Sequence, residues 1–284
     1  MAPAPSVLRI GSRSFDLAEK VLILGILNVT PDSFSDGGLH LDPEAAIRHA
    51  LRMEAEGADI IDVGGESTRP FSQPVTEEEE LERVIPVIEG IRRHSDIPIS
   101  IDTVKSAVAR AAVAAGADML NDVSGLTRDP DVLNVLQDNN LPVIIMHSKG
   151  TPAEMQIDPS YDDLMGEISG FLFGQAKRAI AAGAPAGSVF IDPGIGFGKT
   201  AEHNLTILKR LDILVESGYP VAVGPSRKSF IGKLLGLDAG ERLEATLAAA
   251  AIAVLNGASI VRLHDVREGR RAIDLAHKIR EAEG

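Results

Sequence analysis

The chain has 284 residues, 44% hydrophobic and 24% charged, with 41 acidic against 28 basic side chains and a net charge of −13. That composition allows an ample core, offers no basic surface for nucleic acid or an anionic membrane, and, with no cysteine, excludes disulfides, thiolate metal sites and cysteine nucleophiles. The opening MAPAPSVLRI has no apolar core of signal-peptide length and no run approaches 18 apolar residues, so the expected location is the cytoplasm.

In chain order, LRIGSRSFDL predicts a small hairpin. Eight β-branched apolar runs follow: 21–29, 58–65, 98–103, 118–125, 142–148, 188–194, 219–226 and 258–266. Each is nearly continuous in apolar residues, as a strand buried on both faces must be. Helical patterns separate them. Asp42 and Pro43 open one as N-cap and first residue, and Gly57 closes it. Thr76 and Glu79 form a capping box ahead of another, and further helices end in glycine before the next strand. Eight strand–helix units without a linker predict an α/β fold, a (β/α)8 TIM barrel filling one domain over 1–284. Residues 1–20 form an N-terminal hairpin extension that caps the barrel's bottom. A doubly wound open sheet is the rival, but it usually has fewer strands and a glycine-rich first turn that LGILNVTPDS lacks.

The strand ends are polar throughout: Asn28; Asp62 with Glu66 to Arg69; Asp102-Thr103; Asn121-Asp122; Met146-His147; Asp192; Ser226 to Ser229; and Arg262 with His264-Asp265. In a barrel they all face the C-terminal mouth, where barrel active sites lie. Asp122 and Asp265 suit helix capping better than their neighbours do. Asp102, Asn121, Asp192 and Lys228 suit a flat heterocycle with a guanidine-like edge, the carboxylates and amide accepting N–H groups and the lysine donating to a ring carbonyl. A buried carboxylate–lysine cluster holding the core is the structural alternative. Arg69, Arg227, Arg262 and His264, with Asn28 and Thr68, form a second group suited to phosphate, and Asn28 offers an oxygen to Mg²⁺. His147 is equally open to a structural role.

IDPGIGFGKT (191–200) imitates a phosphate loop but has Pro193 where the first glycine is required. Lys199 is therefore read as peripheral to the chemistry. Loops 28–41 and 64–76 are long and rich in Gly, Ser, Thr and Pro, as mobile lids are. Residues 243–258 are apolar almost all round, more than one core-facing stripe needs.

These residues give a strong resemblance to the dihydropteroate synthases, sulfonamide-sensitive enzymes of folate biosynthesis. It rests on GILNVTPDSFSDGG, DVGGESTRP, SIDT, NDVSG, MH, DPGIGFGK, SRKSFIG and RLHDV, in family order from about residue 20 onwards. The resemblance implies condensation of 6-hydroxymethyl-7,8-dihydropterin diphosphate with 4-aminobenzoate, releasing pyrophosphate, in an SN1-like reaction that needs Mg²⁺. It implies that Asp102, Asn121, Met146, Asp192 and Lys228 hold the pterin. Asn28 would bind Mg²⁺, and Thr68, Arg262 and His264 the diphosphate. Thr68, Arg69, Pro70 and Ser229 would surround the aminobenzoate. Asp102, Lys228, Arg262 and His264 would carry the catalysis, and the apolar 243–258 helix a homodimer surface.

Two positions depart from the family. Phe71-Ser72 replaces the usual Gly-Ala after STRP, placing a bulky ring beside the implied aminobenzoate pocket, and MHS lacks a second methionine. A methyltransferase of the pterin-binding barrel type has no use for SRKS or the Arg262–His264 pair. A non-catalytic homologue would have lost Asn28 or a diphosphate contact.

Overall fold

A computed structural model of the chain describes residues 7–30, 42–67, 72, 74–150, 155, 157 and 159–282. A hairpin of β1 (Val7–Ile10) and β2 (Arg13–Asp16) precedes the strands β3 (Leu22–Asn28), β4 (Ile60–Gly64), β5 (Ile99–Asp102), β6 (Met119–Asp122), β7 (Val143–Met146), β8 (Val189–Asp192), β9 (Ala222–Val223) and β10 (Ile260–Leu263). The helices are α1 (Pro43–Ala55), α2 (Glu77–Arg92), α3 (Ser106–Ala115), α4 (Val132–Asn139) and α5 (Leu164–Ala181). Then come α6 (Ala201–Lys209), a single turn α7 (Asp212–Val215), α8 (Ser229–Leu235), α9 (Leu243–Leu255) and α10 (Val266–Arg280). Among the described residues no helix is long and apolar enough to cross a membrane.

Strands β3 to β10 pair in parallel in the order β8-β7-β6-β5-β4-β3-β10-β9. A parallel bridge between Ile191 and Val221 joins the two ends and closes the expected TIM barrel. The seventh barrel strand is shorter than the 219–226 run suggests. Pro220 has no N–H to give the ladder and only accepts, from Ile191 N at 3.1 Å.

The helix starts follow their sequence signals. Asp42 Oδ1 accepts from Ala45 N at 3.1 Å and Pro43 occupies the first helical position. Thr76 and Glu79 make both halves of a capping box, at 2.9 and 3.2 Å. Odd and even strand residues divide between two cores. One set, including Ile61, Val63, Ile99, Ile101, Leu120 and Ile145, packs against the surrounding helices. The other set points into the barrel, and its lower layer is Leu22, Leu24, Ile60, Met119, Ile144, Phe190, Ala222 and Ile260. Leu8 and Ile10 of the hairpin, 1% and 0% exposed, pack onto that layer. The hairpin thus plugs the bottom, each buried side chain contributing about 1.5–3 kcal/mol.

Candidate active site

Two residues further along four of the inward-facing rows, the character reverses. Ile60 is followed by Asp62, Met119 by Asn121, Phe190 by Asp192 and Ile260 by Arg262. The side chains stay buried (Asp62 0%, Asn121 4%, Asp192 6%, Asp102 8%), so charge and amide groups sit in low dielectric on an apolar floor.

Arg262 ties them together. Its Nε donates to Asp62 Oδ2 at 2.6 Å and its Nη2 to Asp102 Oδ2 at 2.7 Å. Asn121 Nδ2 donates to the same Asp62 oxygen at 3.0 Å. Burial pushes the Asp102 carboxyl up to about 7 despite Arg262, with Asp62 adding to the rise. Burial also raises Asp192 to about 6, against the pull of the Gly194 amide, which donates to it at 2.7 Å, and of Lys228 and Lys199. Lys228 is lowered to about 8 by burial and by Arg262, while its Nζ lies 4.0 Å from the Phe197 ring centre. Met146, Met155 and Phe197 form a small apolar cluster with Val123 beside these groups. A cleft of about 290 Å³ runs past Asp102, Thr103, Val123, Met155 and Phe197.

The predicted residues fall as follows. Asp102, Asn121, Asp192, Lys228 and Arg262 form one electrostatic cluster, because Arg262, grouped by sequence with the phosphate cations, sits among the heterocycle carboxylates. Met146 is buried beside Phe197. His264 Nδ1 meets Ser226 Oγ at 2.8 Å, and His264 N donates to that oxygen at 3.2 Å, fixing the ring at the end of β10. Ser229 opens α8 directly after Lys228. Asn28 is half-buried at the end of β3, in register with Gly64. Thr68, Arg69, Pro70 and Phe71 lie outside the described residues, as do 31–41 of the first long loop. Ser72 Oγ donates to Ser67 O at 2.5 Å.

Arg227 differs from its sequence reading, and Lys199, His147 and Asp62 gain partners the sequence did not show. Arg227, taken for a phosphate cation, forms a two-pronged pair with Asp265, Nε–Oδ2 at 3.0 Å and Nη2–Oδ1 at 2.5 Å. Its backbone is left-handed, with φ 54°, so it diverges from Lys228 and is exposed. Lys199, read as peripheral to the chemistry, is nonetheless buried: it is 2% exposed, and its Nζ meets His147 Nδ1 at 3.0 Å, His147 O at 3.3 Å and Phe197 O at 2.9 Å. Positive φ at Gly194 and Gly196 folds the turn under the β7 strand end. A Cβ at Gly194 would stand 2.0 Å from His147 O, and one at Gly196 3.1 Å from Lys228 Cδ. Burial and Lys199 lower His147 to about 3, and it packs edge-on to Phe171, so its open role resolves as structural. Asp62, noted in sequence only as a polar strand end, is the shared acceptor of the cluster. Asp122 does cap the next turn, accepting from Ser124 N and Oγ at 2.7 and 2.6 Å.

The fold and mouth define a barrel with a buried carboxylate, amide and cation cluster beside an apolar wall. A family model described as pterin-binding enzyme matches residues 24–264. The dihydropteroate synthase of Synechocystis is 49% identical over 263 residues, covering 92% of this chain and 91% of that protein. A crystal structure of Yersinia pestis dihydropteroate synthase in a sulfonamide drug complex superposes with TM-score 0.91 at 43% identity, covering 97% of this chain and 100% of that one. Xanthomonas albilineans dihydropteroate synthase with 4-aminobenzoic acid superposes with TM-score 0.91 at 43% identity, covering 98% and 99%. The chain belongs to the pterin-binding enzymes and, within them, to the dihydropteroate synthase family.

Proposed function

We propose that the barrel mouth condenses (7,8-dihydropterin-6-yl)methyl diphosphate with 4-aminobenzoate to 7,8-dihydropteroate and pyrophosphate, a transferase reaction of tetrahydrofolate biosynthesis. One observation carries the assignment of roles: buried Asp102 and Asp192, both raised in pKa, share a site with the Asn121 amide, Lys228 and an apolar wall. Carboxylates held out of water match a ligand that brings its own N–H donors.

In this reading the pterin lies against Met146 and Phe197. Asp192 and Asn121 accept from its N–H edge, and Lys228 donates to its ring carbonyl. The bond between the methylene carbon and the diphosphate oxygen breaks first, its electron pair leaving with pyrophosphate. Asp102 faces the positive charge that develops on the pterin, and Arg262, His264 and Thr68 face the negative charge on the leaving group. The aminobenzoate nitrogen then attacks the methylene and releases its proton to solvent. That substrate lies among Thr68, Arg69, Pro70 and Ser229, with its carboxylate toward the opening amides of α8.

Mg²⁺ fits the donor set. Among the described residues no three acidic or imidazole side chains gather as a metal cage. Asn28 nevertheless offers a hard oxygen at a strand end, and an ion of this kind takes its other ligands from phosphates and water. When bound, it supplies positive charge to the leaving pyrophosphate.

A homodimer through α9 and α10 is supported by Ile252, Leu255, Leu275 and Ile279, exposed by 43–61%. Light scattering at micromolar concentration should give twice the chain mass, and a monomer mass refutes it. A cytoplasmic location accords with the substrates and the absence of cysteine. The reaction is tested by pyrophosphate release from the purified protein with both substrates and Mg²⁺, expected to vanish in Asp192→Ala. No release from the native protein, or equal release from both, overturns it.

A further inference from the structure

Asp62 touches neither substrate in the reaction above, yet it is fully buried and one of its oxygens accepts from two residues of the site. Its strand, β4, lies two strands from β6 on one side and two from β10 on the other. Asp62 therefore reaches Asn121 and Arg262 from opposite directions. A carboxylate only accepts, so the Asn121 amide must turn Nδ2 toward Asp62, and its Oδ1 then points the other way. The guanidinium is held at two corners, by Asp62 and by Asp102. One carboxylate would neutralise Arg262; a second, shared with an amide, orients both partners.

We propose that Asp62 is a positioning residue of the pterin site: it fixes the Asn121 amide so that Oδ1 accepts from the pterin N–H edge, and holds Arg262 against Asp102. The proposal rests on the pterin reading above. It separates orientation from charge balance, and the two have different signatures. Asp102 is faced by Arg262 from β10, Asp62 from β4, Glu80 from α2 and Asp122 from β6, with Lys228 close by. Removing the negative charge of Asp62 leaves Arg262 to Asp102 alone, so Asp102 should ionise at lower pH.

The isosteric Asp62→Asn variant tests this. Its kcat/KM for the pterin diphosphate should fall about 10- to 100-fold, as when a group that orients a ligand-binding residue is lost. The KM for aminobenzoate should stay unchanged, and the acid limb of the pterin kcat/KM profile should move to lower pH. On an Asn121→Ala background the same change should cost clearly less than in the native protein, since Asp62 acts partly through that amide. An unshifted limb with unchanged kcat/KM, or a full loss repeated on the Asn121→Ala background, overturns the proposal. Should Asp62→Asn not fold, neutron diffraction of the native protein with pterin bound decides. Amide deuterons of Asn121 directed at Asp62 support positioning, and deuterons directed at the pterin refute it. A native protein that neither binds pterin nor releases pyrophosphate sinks the reaction, whereas an active native protein with an indifferent Asp62→Asn sinks this inference alone.

Discussion

The bottom and the mouth of the barrel use the same strands and opposite chemistry. Ile60, Met119, Phe190 and Ile260 make a layer sealed by the hairpin, and Asp62, Asn121, Asp192 and Arg262 stand one inward position above them. The lower layer is stable because it is dry and apolar. The upper layer is nearly as buried, but Asp192 and the neighbouring Asp102 are pushed up to about 6 and 7, so it spends stability on readiness for a ligand.

Exchanging the two characters should break the protein in different ways. Ile144→Asp, in the lower layer, places an unpaired carboxylate on that floor and should cost more than about 4 kcal/mol, leaving little folded protein by circular dichroism. Ile10→Ala in the hairpin should cost about 2–5 kcal/mol in urea unfolding, with kcat unchanged in the folded fraction. A parallel loss of kcat would mean that the plug also shapes the mouth.

The upper layer should answer to pH. In the proposed reaction Asp102 is ionised, so kcat/KM should fall as pH drops below about 7, and Asp102→Asn should remove that limb along with most of the activity. The smallest effect is expected at Lys199, lowered to about 7 by burial from an unfolded value near 10.5. Between those values the unfolded chain binds more protons, so the native protein gains stability as pH rises. Lys199→Met should therefore cost roughly 1–3 kcal/mol at pH 7, from unsatisfied carbonyls, and more at pH 9. A cost that shrinks with pH would contradict the sign.

Much of this division is legible in the sequence, because continuous apolar runs, polar strand ends and helix caps are local signals. The barrel, the hairpin and the gathering of Asp102, Asn121, Asp192 and Lys228 at the mouth follow from them. Partnership is not local. Asp62 and Arg262 are 200 positions apart, and nothing in either segment says that they meet. Arg227 reads as a phosphate cation beside Lys228 until a left-handed backbone turns it to Asp265. The burial of Lys199 is not legible because it depends on glycines folding that turn beneath another strand's end.

The Lys199 clasp between the loops after β7 and β8 has one more property. As an ammonium, the lysine can donate to the imidazole nitrogen and to both carbonyls. As a free amine, it keeps two donors for the carbonyls, and its lone pair can accept from the same imidazole once the ring proton moves from Nε2 to Nδ1. His147 stays uncharged throughout, being lowered to about 3. Losing a proton at this lysine thus exchanges tautomers without breaking a contact. The turn that follows Asp192 is anchored in both charge states, so that carboxylate keeps its place across neutral pH.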